Sequence, residues 1–437
     1  MPKTSILKNT PTNRKIGTWS TTALVVGNMI GSGIFLLPAS LGAYGGISII
    51  GWIISGLGAL ALAKVFASLS KILPRTGGPY TYSQAGLGDF AGFLVAWGYW
   101  ISILCTNAAI TVAMIGYLTV FFPILGDDPL MAVGTGIGVI WILTWVNIRG
   151  VKEAGYIQLV TTILKVIPLL LISIVGLLFF NLYHFQPFNV SGEWSIVAIV
   201  KTTTLTLFAF LGIESATIPA DNIDNPQVTI PKATMYGTLL TIVIYMLGSI
   251  SVMGILPPEV LQNSSAPFAD AGQKILGSWA EYLIAAGAVI STFGALNGWL
   301  LLQGQIPLAA SRDNLFPSFF GRLSSRQTPM LGILLSSALV TLLMVTNFTK
   351  GLNKAFEFMI LLSTLTVLVP YLFSSAAYII LSKPDHTSTS NKIVLLGMTA
   401  FFFSLFAVIG SGAEVVFWGF VFLMGGIPFY IWIKKTH

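Results

Sequence analysis

Of the 437 residues, 55% are hydrophobic and only 8% charged, where soluble domains carry about 25% charged residues, so lipid is the main solvent of this chain. The formal net charge of +7 does not mark a nucleic-acid binder, because the basic residues are scattered along loops and not gathered on one face. A single cysteine, Cys105, and three separated histidines (His184, His386, His437) exclude a disulfide framework and a His/Cys metal cluster.

Windows of about 20 apolar residues, enough to cross roughly 30 Å of hydrocarbon, fall at 18–43, 46–70, 86–121, 130–148, 156–181, 196–220, 232–255, 279–310, 330–347, 354–381, 393–411 and 414–433. They predict an all-α polytopic membrane protein of twelve spans after a polar tail at 1–17. No cleavable signal peptide is expected, and no loop is long enough for a separate soluble domain. With the N-terminus inside, seventeen of the 22 Lys and Arg fall on the inner side, three (Lys274, Lys350, Lys354) outside and two (Lys165, Lys201) within spans. That bias predicts both termini in the cytoplasm.

Span one carries "GNMIGSGIFLLP" (27–38), with Gly27, Gly31 and Gly33 around Ser32. Glycine costs about 1 kcal/mol relative to alanine in a helix interior, so an interruption is expected here. Span three brings Tyr99, Ser102, Ile103 and Asn107. Asn107 and Ser102 are five positions apart and only loosely share a face, and hydrogen bonding between helices is their alternative role. Lys165 in "TTILKVIPLLL" lies about 13 Å into span five, far for a lysine stem to reach the interface, although snorkelling is the alternative.

Span six is interrupted at "FLGIES" (210–215), with Glu214 the acidic residue placed deepest in any span. A carboxylate there costs about 2.5–3.5 kcal/mol on insertion scales and needs a cavity or a partner. A structural hydrogen bond across the unwound segment is the alternative. Trp299 follows Asn297 and Gly298 about twenty residues into span eight; a place in the interfacial belt competes with a buried one. Each break opens a set of five spans. Discontinuous helices at corresponding positions point to a transporter built on inverted repeats, 18–181 and 196–381, followed by two additional spans at 393–433. Freed N–H groups suit a carboxylate and freed carbonyls an ammonium, so an amino acid is the expected substrate. Close packing of small residues is the competing account of "GSG" alone.

Six segments in order, "GNMIGSGIFLLPA" (27–39), "YWISILCTNAAI" (99–110), "FAFLGIESA" (208–216), "DNPQVTIPKAT" (224–234), "NGWLLLQGQ" (297–305) and "VPYLF" (369–373), resemble the amino acid–polyamine–organocation superfamily. The resemblance is strongest to bacterial antiporters of the arginine–agmatine exchanger type. It implies a five-plus-five inverted repeat working by alternating access in a bacterial inner membrane. The substrate carboxylate would meet Ser32 and Gly33, and its amino group the carbonyls of Met29, Phe208 and Leu211. Its side chain would meet Ser102, Ile103, Asn107, Ser363 and Trp299. Trp299 would be the near gate, and Tyr99, Glu214 and Tyr371 the far gate. Two departures bear on substrate. Phe208 stands where those exchangers have tryptophan, the better cation partner. Lys165 resembles the span-five lysine of proton-coupled amino acid transporters and neutral amino acid exchangers, where the ammonium stands in for a sodium ion, and the resemblance implies a part for it in gating or proton coupling.

The expectation is therefore a sodium-independent exchanger of cationic amino acids or their amines, with exchange or proton-coupled transport of neutral amino acids as the alternative. Enzyme chemistry is not expected: paired carboxylates and a phosphate-cradling loop are both missing from the sequence. A channel would need a ring of pore-lining charges or carbonyls, and a receptor would not explain matched weak helices. No cofactor or metal is expected. The partners are a small-molecule substrate, the lipid bilayer and a possible second copy of the chain, and no nucleic acid.

Overall fold

The computed structural model describes residues 16–149, 169–347, 351–382 and 390–436. Among these, nearly everything is helix and no β-strand occurs. Eleven helices among the described residues are long and apolar enough to cross a membrane. Of predicted span five, 156–181, residues 156–168 lie outside the described residues, and so does Lys165; its described remainder contains a short apolar helix, Leu169–Phe179.

Three boundaries differ from the sequence reading. Span three is Asp89–Leu118, and the residues before it form a separate short helix, Pro79–Leu87. Gly88 at φ +90° divides the two, a conformation that suits only glycine without strain. Span seven starts at Pro226, not 232. Proline is well placed in a first turn because its missing N–H would have no intrahelical partner there; Pro231, further in, forgoes one bond. The last span divides into Ala413–Met424 and Ile427–Thr436 around Gly425 and Gly426.

Two sets of contacts define the two ends of the bundle. On the N-terminal side, Ile16 forms an isolated parallel bridge with Ile223, the Gly77 N–H donates to the Ile218 carbonyl at 3.1 Å, and Tyr80 donates to Asp313 at 2.9 Å. On the opposite side, two short helices, Pro258–Leu261 and Pro267–Leu276, cover the ends of spans one and three. There the Tyr117 hydroxyl donates to the Phe35 carbonyl at 2.8 Å and accepts from the Phe268 N–H at 3.2 Å. Phe35 packs edge-on against both Tyr117 and Phe268. Between these ends, Trp52, Phe210 and Tyr245 pack mutually and hold span two and span seven against the middle of span six.

Candidate functional site

Span one stops at Met29 and restarts at Ser32, so only Ile30 and Gly31 leave helical geometry. The second half, Ser32–Gly42, has 11 residues. Its first N–H groups lack intrahelical partners and carry the positive end of a helix dipole. The Ser32 hydroxyl at this terminus is buried and meets no hydrogen-bond partner among the described residues.

Span six is broken more extensively than expected. Its α-helix ends at Leu207, before the predicted interruption, and continues only as short 3₁₀ turns at Phe208–Phe210, Ser215–Thr217 and Ala220–Asn222. Leu211 is extended between two of these turns, and Gly212 takes φ +104°. The two breaks touch. A Cβ on Gly33 would lie 3.1 Å from the Ala209 Cα and 3.5 Å from a Phe208 ring carbon, and one on Gly212 would lie 3.4 Å from Asn28.

A cavity lies where they meet. Span one lines it with Asn28, Met29, Gly31, Ser32 and Gly33, span three with Thr106 and Ile110, span six with Phe208 and Leu211, and span eight with Trp299. Its free space is only about 10 Å³, room for roughly one water molecule. An amino acid fits only if the rings of Trp299 and Phe208 or the half-helices move apart. No lining side chain is charged. Trp299 is buried beside the cavity and not in an interfacial belt.

The backbone acceptors are unequal. The Met29 carbonyl accepts from the Tyr245 hydroxyl at 2.5 Å and from the Gly31 N–H at 2.8 Å, so both lone pairs are engaged. The Phe208 carbonyl accepts from the Leu211 N–H at 3.1 Å and keeps one lone pair. The Leu211 carbonyl meets no donor among the described residues. It is the most available acceptor for an ammonium group.

Four residues expected around the substrate side chain do not line the cavity. Ser102 and Ser363 bond to each other, with the Ser363 hydroxyl also 2.7 Å from that of Thr106. Ile103 is fully buried. Asn107 donates to Gln303 at 2.8 Å, and Gln303 donates to Ser337, which meets Thr144 at 2.6 Å. This chain joins spans three, eight, nine and four. Thr106 and Ile110 were missed from the sequence although they fall at i+4 and i+8 from Ser102, on one helix face. Gln303, one turn beyond Trp299 in an apolar helix, also carried a signal, because an amide in hydrocarbon needs a partner.

Glu214 is fully buried and accepts from Tyr99 at 2.5 Å on one oxygen and from Tyr371 at 2.8 Å on the other. Tyr99 is seven residues before Thr106, about 10 Å along the helix toward the N-terminal side. The three side chains thus bind spans three, six and ten together beneath the cavity. Among the described residues no group of three or more His, Cys, Asp or Glu is placed to hold a metal ion.

A family model described as amino acid permease matches residues 16–430. The chain is 36% identical over 370 residues to a cadaverine/lysine antiporter of Escherichia coli K12, covering 83% of this chain and 82% of that protein. It is 31% identical over 424 residues to putrescine transporter PotE of Haemophilus influenzae, covering 96% and 97% respectively. An arginine/ornithine antiporter of Pseudomonas aeruginosa is 34% identical over 407 residues, covering 88% and 84%.

Proposed function

The chain belongs to the amino acid permease family, and from that membership we propose that it exchanges cationic amino acids and their amines across a bacterial inner membrane by alternating access. It is an integral membrane transporter and not an enzyme. The relatives named as antiporters of lysine, cadaverine, arginine and ornithine support the exchange reading. In this reading the two five-span sets, 18–181 and 196–381, move about the central cavity, both termini face the cytoplasm, and spans 393–433 present an apolar face to a second copy.

One observation carries the assignment of the site: the buried, unpartnered Ser32 hydroxyl heads a half-helix and faces the same cavity as Trp299. A substrate carboxylate takes the Ser32 hydroxyl and the Gly33 N–H. The α-ammonium takes the Leu211 carbonyl and the remaining lone pair of Phe208; Met29 joins only when Tyr245 releases it. The side chain runs past Thr106 and Ile110 under Trp299, with Ser102, Ile103, Asn107 and Ser363 as the wall behind. Tyr99, Glu214 and Tyr371 act as the gate on the N-terminal side, with Glu214 coupling passage to protonation. Lys165 takes the place of a sodium ion.

Exchange of neutral amino acids is a second reading, favoured because no charged side chain lines the cavity. Proteoliposomes loaded with lysine and assayed for radiolabelled lysine uptake separate the two. Cadaverine, arginine and ornithine should compete and leucine should not; the reverse order selects the neutral reading. Uptake from empty vesicles at the loaded rate would refute exchange. Replacing sodium by choline should leave the rate unchanged, and collapse would refute the role given to Lys165.

A further inference from the structure

A second cavity, of about 460 Å³, opens on the side away from the N-terminus and shares no lining residue with the central one. Its size falls in the range of small-molecule sites, about 300–1,000 Å³. Lys201 and Leu205 of span six, Lys354, Glu357 and Leu361 of span ten, and Glu414 at the start of span twelve line it. Charges sit at the helix ends, while Leu205, Phe358 and Leu361 give it an apolar floor.

The positive charges are out of keeping with their surroundings. The charge partition of the sequence leaves very few lysines on this side of the membrane. Lys274 is engaged, donating to the Ile255 carbonyl at 2.7 Å. Lys201 and Lys354 converge on one cavity, where Lys201 pairs with Glu193. Glu357, three residues from Lys354 on the same helix, is only partly exposed, and its carboxylate has no ion pair or hydrogen bond among the described residues. Glu357 lies within electrostatic reach of Lys201 and Lys354 but makes no direct contact with either, and a half-buried carboxylate without a contact partner is costly where a membrane limits hydration. Glu357 and Lys354 present opposite charges to one cavity, side by side.

We propose that this cavity binds a zwitterion: a primary ammonium against Glu357, an anionic group against Lys354, and a hydrocarbon stem along Leu205, Phe358 and Leu361. A free amino acid and the head group of an aminophospholipid share this chemistry. An occupant would brace the first half of span six against span ten. Leu205 lies one turn before Phe208, whose ring packs edge-on against Phe356 at 6.2 Å.

The test compares the purified full chain with Glu357→Gln and with Lys354→Gln. The second variant alters an exposed side chain and serves if the first fails to fold. In one arm, equilibrium binding of radiolabelled lysine is counted. Two equivalents per wild-type chain, with one weakened at least tenfold in the variants, assign the site to a free amino acid. In the other arm, native mass spectrometry follows phosphatidylethanolamine against phosphatidylcholine. Selective retention by wild type that is lost in the variants assigns it to the lipid. Variants indistinguishable from wild type in both arms overturn the proposal. Failure of the transport reading is distinct, because it removes only the lysine equivalent that the variants leave unchanged, while the variant-sensitive equivalent or the lipid arm stays intact.

Discussion

The breaks in span one and span six face each other across one cavity, yet they are built differently. Span one leaves helical geometry for two residues and restarts as a full helix at Ser32. It therefore supplies a fresh helix terminus, with unpaired N–H donors and positive dipole. Span six unwinds from Leu207 onward into 3₁₀ turns whose donors are consumed locally, the Ser215 N–H by Gly212 and the Thr217 N–H by Glu214. What it leaves over are acceptors, the Leu211 carbonyl above all. In the proposed reading the short break takes the substrate's anionic group and the long break its ammonium. Together they match the two ends of an α-amino acid.

That division fails first where the breaks touch. Gly33→Val places side-chain atoms against the Ala209 backbone, where even a Cβ lies at 3.1 Å, and a backbone atom cannot rotate away. Lysine counterflow should fall by roughly 100-fold, the upper end of the about 1–3 kcal/mol typical of overpacking. Gly31→Ala is the control, since its Cβ would meet only the Ala295 methyl at 3.8 Å, an ordinary contact. Equal losses for the two would show that the Gly33 contact has no special part.

Next in size is the proposed gate, whose carboxylate span six supplies and span one does not. Glu214 offers one acceptor oxygen to each of Tyr99 and Tyr371, whereas the amide of Glu214→Gln has only one. One phenol then loses a charge-assisted bond, worth about 1.5–3 kcal/mol. Turnover should drop about tenfold or more and its pH dependence flatten. An unchanged rate and pH profile would remove Glu214 from coupling and leave it a structural strut.

The sequence showed both interruptions because glycines in an apolar span have a definite helical cost, and it showed Glu214 because an ionised group in hydrocarbon needs a partner. The length of the second break was hidden. "FLGIES" contains one glycine, and the unwinding starts two residues earlier at Phe208, where no glycine or proline marks a break and tertiary contacts decide. Span three shows the same limit in another form. The face bearing Ser102 was identified, but which turn of that face reaches the cavity depends on how far the helix slides along its neighbours. Thr106 and Ile110 sit at the right depth, and Asn107, rotated by about 100° from Thr106, turns toward Gln303.

A smaller effect separates the two ends of the substrate. Ser32→Ala removes one hydrogen bond to a carboxylate, about 1.5 kcal/mol at the low end for a bond to a charged group, so the KM for lysine should rise roughly 10-fold. Cadaverine has no carboxylate, and its KM should stay within about twofold under the same linkage. Equal changes for the two substrates, measured in the same proteoliposomes, would place the carboxylate away from span one.

The smallest effect concerns what covers span one but not span six. The short helix Pro267–Leu276 lies over the second half of span one, with the Phe268 ring 5.9 Å from that of Phe35. On it, burial raises the Asp270 carboxyl above its ordinary value of 3.8, with the Ser264 hydroxyl bond working the other way. The folded chain therefore holds this proton more tightly than the unfolded chain. Its contribution is fully present below the ordinary carboxylate value and is lost as pH rises through the raised one. Wild-type melting temperature in detergent should fall by roughly 1–2 °C across that window, and Asp270→Asn should remove this part of the slope without altering the exchange rate. An identical slope in the variant would mean that the cover over span one carries no proton-linked stability. A change in lysine KM would mean that it reaches the anion site below.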